Sequence, residues 1–207
     1  EIAKKAGASA AEVDISQGLG QTVSVRMGET ETIEYNRDKG VSVTVYFGHQ
    51  RVHASTSDLS DQALQESVAA ACNIAKYTAQ DPYCGLADPA LMASSFPNLD
   101  LYHPWDISVE DAIELARRCE AAARDIDPRI TNSEGASVSA YEGVSVYANS
   151  HGFSEGYPSS RHGISCSVIA EAGDSMQRDY WYSTARAAQD MESPEIVGSK
   201  AGQRTVR

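Results

Sequence analysis

EVDISQGLGQTVSVRMGETETIEYNRDKGVSVTVYFGHQRVHASTSD, residues Glu12–Asp58, is the stretch whose period decides the fold. Val13 and Ile15 alternate with Asp14 and Ser16, and Val23, Val25 and Met27 with Ser24 and Arg26. Ile33 and Tyr35 flank Glu34, and Val41, Val43 and Val45 alternate with Ser42 and Thr44. A period of two puts successive side chains on opposite faces, so each run reads as a strand with one face on a core. Gly18–Gly20, Gly28–Glu29, Lys39–Gly40 and Gly48 read as the turns between them. Links this short join antiparallel neighbours.

The period then changes. From about Ser60 to Tyr77, Leu64, Val68, Ala71, Cys72 and Ala75 recur at three-to-four spacing, the stripe of an amphipathic helix. A second helix is expected from about Ser108 to Ile126, with the stripe Ile113, Ala116, Cys119, Ala123 and Ile126. Ser108 followed by Asp111 resembles a capping box, and Asp127-Pro128 closes the helix. Between the helices, Thr78–Pro104 holds four of the seven prolines and reads as an irregular linker. Beyond Arg129 the alternation returns at Val144, Val146 and Ala148 and at Ile164, Cys166 and Val168, with a hairpin turn over Ala172–Ser175. Ser193 and Pro194 look like the cap and first residue of a last helix. The expected class is α+β, with mainly antiparallel sheets each covered by a helix. The expected division is 1–97, a strand meander with helix and linker, and 98–207, a middle helix with antiparallel strands.

Composition narrows the function. The 207 residues carry a net charge of -12, with 42% hydrophobic and 22% charged side chains. That acidity argues against direct binding to nucleic acid, which needs a basic surface, and against an anionic membrane surface. No apolar run approaches the ~20 residues that span a bilayer. Four cysteines without a C-x-x-C spacing fit reduced thiols in a cytoplasmic protein.

The residues that carry chemistry are sparse. None of the five histidines is followed by Glu, so no H-E-x-x-H pair can hold zinc from one helical face. His49 and His53, four apart in a strand context, would stand roughly 13 Å apart, too far for one ion. Ser159, Ser160, His162, Asp174 and Asp179 have the types of a hydrolase triad but no G-x-S-x-G elbow. Gly18-Leu19-Gly20 lies between strands and reads as a hairpin link, not a dinucleotide loop. The aromatics of Arg178–Tyr182 read as strand residues against a core or interface. Asn149, His151, Arg161, His162 and Arg178 are the candidates for contact with a substrate peptide or a partner. For the segments around His151 and His162, simple turn chemistry beside Gly152 and Gly163 is the competing reading.

Further wording is specific. RITNSEGAS (129–137), YANSHGF (147–153), GYPSSRHG (156–163) and MQRDYWYS (176–183) occur in order, after DPYCGLAD (81–88) and NLDLYHP (98–104). With the opening strands, this wording resembles the TldD/PmbA family over essentially the whole chain, and its PmbA (TldE) branch more than its TldD branch. The resemblance implies a non-catalytic subunit of a heteromeric metal-dependent peptidase acting on unfolded or extended peptides in the cytoplasm. It implies no catalytic residue and no cofactor in this stretch. A metal, zinc, is expected in the TldD-like partner subunit on an H-E-x-x-x-H motif. It also implies a C-terminal domain beyond Arg207. The alternative is a protein-binding regulatory module, linked to DNA gyrase or toxin–antitoxin control, without a proteolytic role. A third reading is a TldD-branch peptidase with the metal motif downstream of Arg207.

Overall fold

The alternation of Glu12–Asp58 becomes three long strands. The computed structural model describes residues 1–207 and orders them as α1 (Ile2–Lys5), β1 (Ala10–Arg26), β2 (Glu29–Phe47), β3 (Gln50–Thr56), α2 (Asp61–Ala75), α3 (Val109–Arg124), β4 (Ile130–Asn149), β5 (Ser154–Ala172), β6 (Ser175–Ala185) and α4 (Pro194–Thr205). The strands form an antiparallel six-stranded sheet in the order β3-β2-β1-β4-β5-β6, so the fold is α+β as expected. The helix starts follow their caps. Ser60 Oγ accepts from Ala63 N at 3.3 Å, Ser108 Oγ from Asp111 N at 3.0 Å and Ser193 Oγ from Ile196 N at 3.4 Å. The proline-rich linker stays irregular apart from a short 3₁₀ turn at Pro89–Leu91.

Two of the turns read from glycines are not turns. β1 runs unbroken through Gly18–Gly20, and β2 runs unbroken through Lys39–Gly40. None of these residues has a positive φ, so the chain stays extended. A Cβ at Gly20 would lie 3.3 Å from the Tyr141 ring, so glycine there permits close approach and not reversal. The β1–β2 turn sits one residue earlier than the sequence suggested, on Met27 and Gly28, with φ of 52° and 83°. Two consecutive left-handed residues match the twist of a two-residue hairpin. Methionine is uncommon there. It is held by Glu120 of α3, whose carboxylate is buried and accepts from Met27 N at 2.8 Å and Gly28 N at 2.7 Å.

The chain divides into two compact units. One comprises Glu1–Gly18, Asp38–Leu99 and Gly143–Pro158; the other comprises Leu19–Arg37, Asp100–Glu142 and Ser159–Arg207. One border, between Leu99 and Asp100, lies beside the division read from the sequence at 97/98, and the others fall inside β1, β2, β4 and β5. In the first unit, Val68, Ala71, Cys72 and Ala75 of α2 bury against Val41, Val43, Val45 and Val52. In the second, Val23, Val25, Ala136, Val138 and alternate residues of β5 bury under α3 and α4.

The α3–α4 crossing is at backbone distance. A Cβ at Gly198 would meet Cys119 O at 2.0 Å, and one at Gly202 would meet Ala123 O at 2.4 Å. Alanine would favour the helix by about 1 kcal/mol over glycine, but overpacking a tight contact costs about 1–3 kcal/mol and moves whole elements. The collision is with backbone, so the second effect wins. Gly198→Ala is therefore expected to lower the unfolding midpoint in urea, with a net loss of up to about 2 kcal/mol. An unchanged or higher midpoint would show that the helices are not pressed together there.

Candidate functional site

In the second unit the two faces of the sheet differ in chemistry. Ser160, His162, Ile164, Cys166, Val168 and Ala170 of β5 are all buried on one face. The other face carries hydroxyls. Ser137 and Ser165 meet at 2.9 Å, and Ser24 meets Thr32 of β2 at 2.7 Å. With Ser167, Glu134, Arg178 and Tyr180 these serines line a shallow groove of about 380 Å³. Arg178 donates to both Glu134 oxygens at 2.9 Å. That pairing, with the Ser167 hydroxyl, holds the Glu134 carboxyl below the usual carboxylate range. Tyr180 and Tyr182 stack on this face, 6.4 Å between ring centres, and remain more than half exposed. Trp181 turns the other way, against the core, where its Nε1 donates to Glu192 and the cations of Lys200 and Arg204 lie over its ring. Of the aromatics expected to pack on a core or interface, only Trp181 reaches the core.

The polar pair on the inner face has a specific task. Ser160 Oγ accepts from His103 N at 2.8 Å and donates to Arg186 O at 2.8 Å. His162 Nε2 donates to His103 O at 2.8 Å, and its ring meets Trp105 edge to face at 5.4 Å. A carbonyl oxygen only accepts, so the hydrogen sits on Nε2; in the neutral ring Nδ1 is left as an acceptor. These bonds fasten the irregular segment Leu101–Ile107 to β5.

The fastened segment walls a cavity of about 620 Å³ that His162 and Trp105 line together with Gln21, Tyr35 and Tyr141. Exposed apolar surface gathers here. Tyr35 is 68% exposed, Tyr102 44%, Tyr141 43% and Leu19 43%, and all four line the cavity. Arg37, Asp106 and Glu142 add charge, one positive and two negative. Tyr102 OH donates to Glu142 at 2.9 Å, which raises the tyrosine pKa.

The sequence candidates do not form one cluster. His162 is only 1% exposed and belongs to the cavity wall. Its neighbour Arg161 is exposed and donates to Thr184 Oγ1 at 3.2 Å. Arg178 sits opposite Ile169 in the β5–β6 ladder, seven residues along from His162 (162 to 169), or about 23 Å at ~3.3 Å per residue. Asn149 and His151 lie in the first unit, Asn149 at the end of β4 and His151 in the turn that leads to β5. There Asn149 Oδ1 accepts from His151 N at 3.0 Å, and Gly152 takes a φ of 93°. Gln21 is the residue the sequence reading missed. It shares a face with Val23 and Val25, so extending their period by one step finds it.

Neither a triad nor a metal cradle assembles. The Ser160 hydroxyl and His162 Nε2 are spent on backbone, and Asp179 pairs with Arg204. No group of three or more His, Cys, Asp and Glu side chains is arranged to hold an ion. His49 lies in the turn between β2 and β3, and His53 meets Thr44 Oγ1 at 3.4 Å.

Comparison with known proteins adds two domain matches. Residues 102–207 match a PmbA/TldA metallopeptidase central domain, and residues 11–75 match a PmbA/TldA metallopeptidase domain 1. The metalloprotease PmbA of Escherichia coli O157:H7 is 47% identical over 95% of the chain, which spans 44% of that protein. The Haemophilus influenzae homologue is 47% identical over 100% of the chain, which spans 46% of it. The chain thus covers less than half the length of these relatives. A Bacteroides thetaiotaomicron structure named for modulation of DNA gyrase aligns over 99% of the chain and 47% of its own, with a TM-score of 0.89 at 24% identity. TldE from Thermococcus kodakarensis aligns over 99% of the chain and 45% of its own, with a TM-score of 0.76 at 15% identity. At these identities the two structures speak for the fold alone.

In the first unit, Glu12 takes two phenols. Tyr46 OH donates to its Oε1 at 2.7 Å and Tyr147 OH to its Oε2 at 2.8 Å, while Asn149 Nδ2 donates to Tyr147 OH at 3.3 Å. Burial first, and then the bond to Glu12, push the Tyr46 phenol up from 10.0 to about 12. A raised phenol favours the folded state fully below the ordinary value near 10, and the contribution is lost as pH rises through about 12. NMR titration of the labelled tyrosine ring carbons should place Tyr46 near 12 and move it back towards 10 in Glu12→Gln. A Tyr46 that titrates normally in both proteins would contradict the buried carboxylate–phenol contact.

Proposed function

The chain belongs to the PmbA/TldD metallopeptidase family, and from that premise we propose that it forms the non-catalytic, peptide-handling part of a two-subunit, metal-dependent peptidase. A TldD-like partner supplies the metal, zinc, and with it the activation of water for attack on the peptide bond. This chain's share is to hold an extended, unfolded chain near that centre.

The observation that carries the reading is the sheet of the second unit. β6 is its outer strand, and the face it shares with β5 carries half-buried hydroxyls and exposed tyrosines. An outer strand offers N–H and C=O groups to an incoming extended chain, and flanking hydroxyls satisfy polar side chains without demanding one sequence. A folded protein cannot present such a strand, which would restrict substrates to unfolded segments. No helix here is long and apolar enough to cross a membrane. The four free cysteines, three of them buried, favour a reducing, cytoplasmic setting. The acidic net charge of -12 weighs against direct nucleic-acid binding in this role.

The test is cleavage of an unstructured peptide by the full-length protein, alone and mixed with its TldD-like counterpart, with and without a chelator. Cleavage is expected only in the mixture and should stop when metal is removed. Chelator-sensitive cleavage by the full-length protein alone would overturn the accessory role.

A further inference from the structure

Two residues that line the cavity, His162 and Gln21, each carry a hydrogen-bonding atom with no protein partner. His162 Nδ1 and Gln21 Nε2 are both shielded from solvent and lack a partner, and both residues line this cavity. Leaving such an atom unpaired costs about 1–3 kcal/mol, so two at one cavity call for an explanation. One is an acceptor and the other a donor. The surrounding wall is aromatic and apolar, with Trp105, Tyr35, Tyr141 and Ile107 prominent. One cation against two carboxylates makes it a poor host for an anion.

We propose that this cavity binds one residue of a peptide chain, a bulky apolar side chain seated against Trp105 with its main-chain amide bonded to His162 Nδ1 and Gln21 Nε2. A peptide main chain carries both an N–H for the acceptor and a C=O for the donor. The volume suits a single residue with its flanking amides; small-molecule sites begin near 300 Å³. The site rests on the peptide-handling role proposed above and adds to it a preference for chains containing large apolar residues. Gln21 and His162 are binding residues in this account. Because His162 also fastens the cavity wall, its removal would confound binding with folding, and Gln21 is the position to change.

The probe is acetyl-phenylalanine methylamide, titrated calorimetrically into the full-length protein. Two analogues accompany it: acetyl-glycine methylamide, which lacks the side chain, and the fully N-methylated phenylalanine compound, which lacks both N–H groups. The phenylalanine probe should bind at least about tenfold more tightly than either analogue. Gln21→Leu should weaken it by about three- to tenfold, the effect of one hydrogen bond. NMR of labelled imidazole nitrogens should show the His162 Nδ1 signal moving on binding, a response that a purely structural histidine would not give. Equal affinity for the three compounds, no saturable binding, or an unmoved His162 signal would overturn the proposal. Loss of cleavage in the two-subunit assay with probe binding intact would overturn the accessory role and leave this site standing; the reverse pattern would overturn the site alone.

Discussion

Two polar side chains on an otherwise apolar strand face set the geometry of the second unit. From Ile164 to Ala170 the inner face of β5 is what a core requires, but Ser160 and His162 continue that face with a hydroxyl and an imidazole. Buried and unpaired, each would cost about 1–3 kcal/mol. They are paired with backbone of Leu101, His103 and Arg186. An irregular, proline-bearing segment thereby gains a fixed course, and Trp105 is brought edge-on to His162. The segment so fastened supplies Trp105, Asp106 and Ile107 to the wall of the cavity.

The same economy appears at α3. One face carries Cys119 and Ala123 into a crossing with α4 so close that only glycine fits opposite. The next residue, Glu120, turns its carboxylate to two backbone N–H groups of the Met27–Gly28 turn, while Arg117 donates to Gly28 O at 2.9 Å. A single helix therefore fixes a hairpin and a helix crossing. The left-handed methionine, a conformation L side chains rarely adopt, persists because its amide has a charged acceptor.

Much of this was legible in the chain. Period-two runs marked strand residues but cut β1 and β2 at glycines the strands run through, apolar stripes and serine caps located α2, α3 and the start of α4, and wording along the chain identified the family. What could not be read depends on distant partners. Glycine marks both turns and close approaches, and only the Tyr141 ring opposite Gly20 decides between them. Met27 looked like one more alternating strand residue because Glu120, 93 positions away, is invisible to local pattern. His162 beside Gly163 suggested a turn, although the period from Ala170 back to Ser160 already placed it on the buried face. The direction of that period was the stronger signal, because it integrates several residues where a glycine is one.

The measurement that tests this account most directly is hydrogen exchange at the His103 amide, in the full-length protein and in Ser160→Ala. The fastened segment predicts that His103 N–H, bonded to Ser160 Oγ, exchanges slowly in the natural protein. In the variant it should become fast while the amides of β5 and β6 keep their protection. A His103 amide that exchanges freely in the natural protein, or that is equally protected without the serine hydroxyl, would contradict the claim that Ser160 and His162 hold the cavity wall in place.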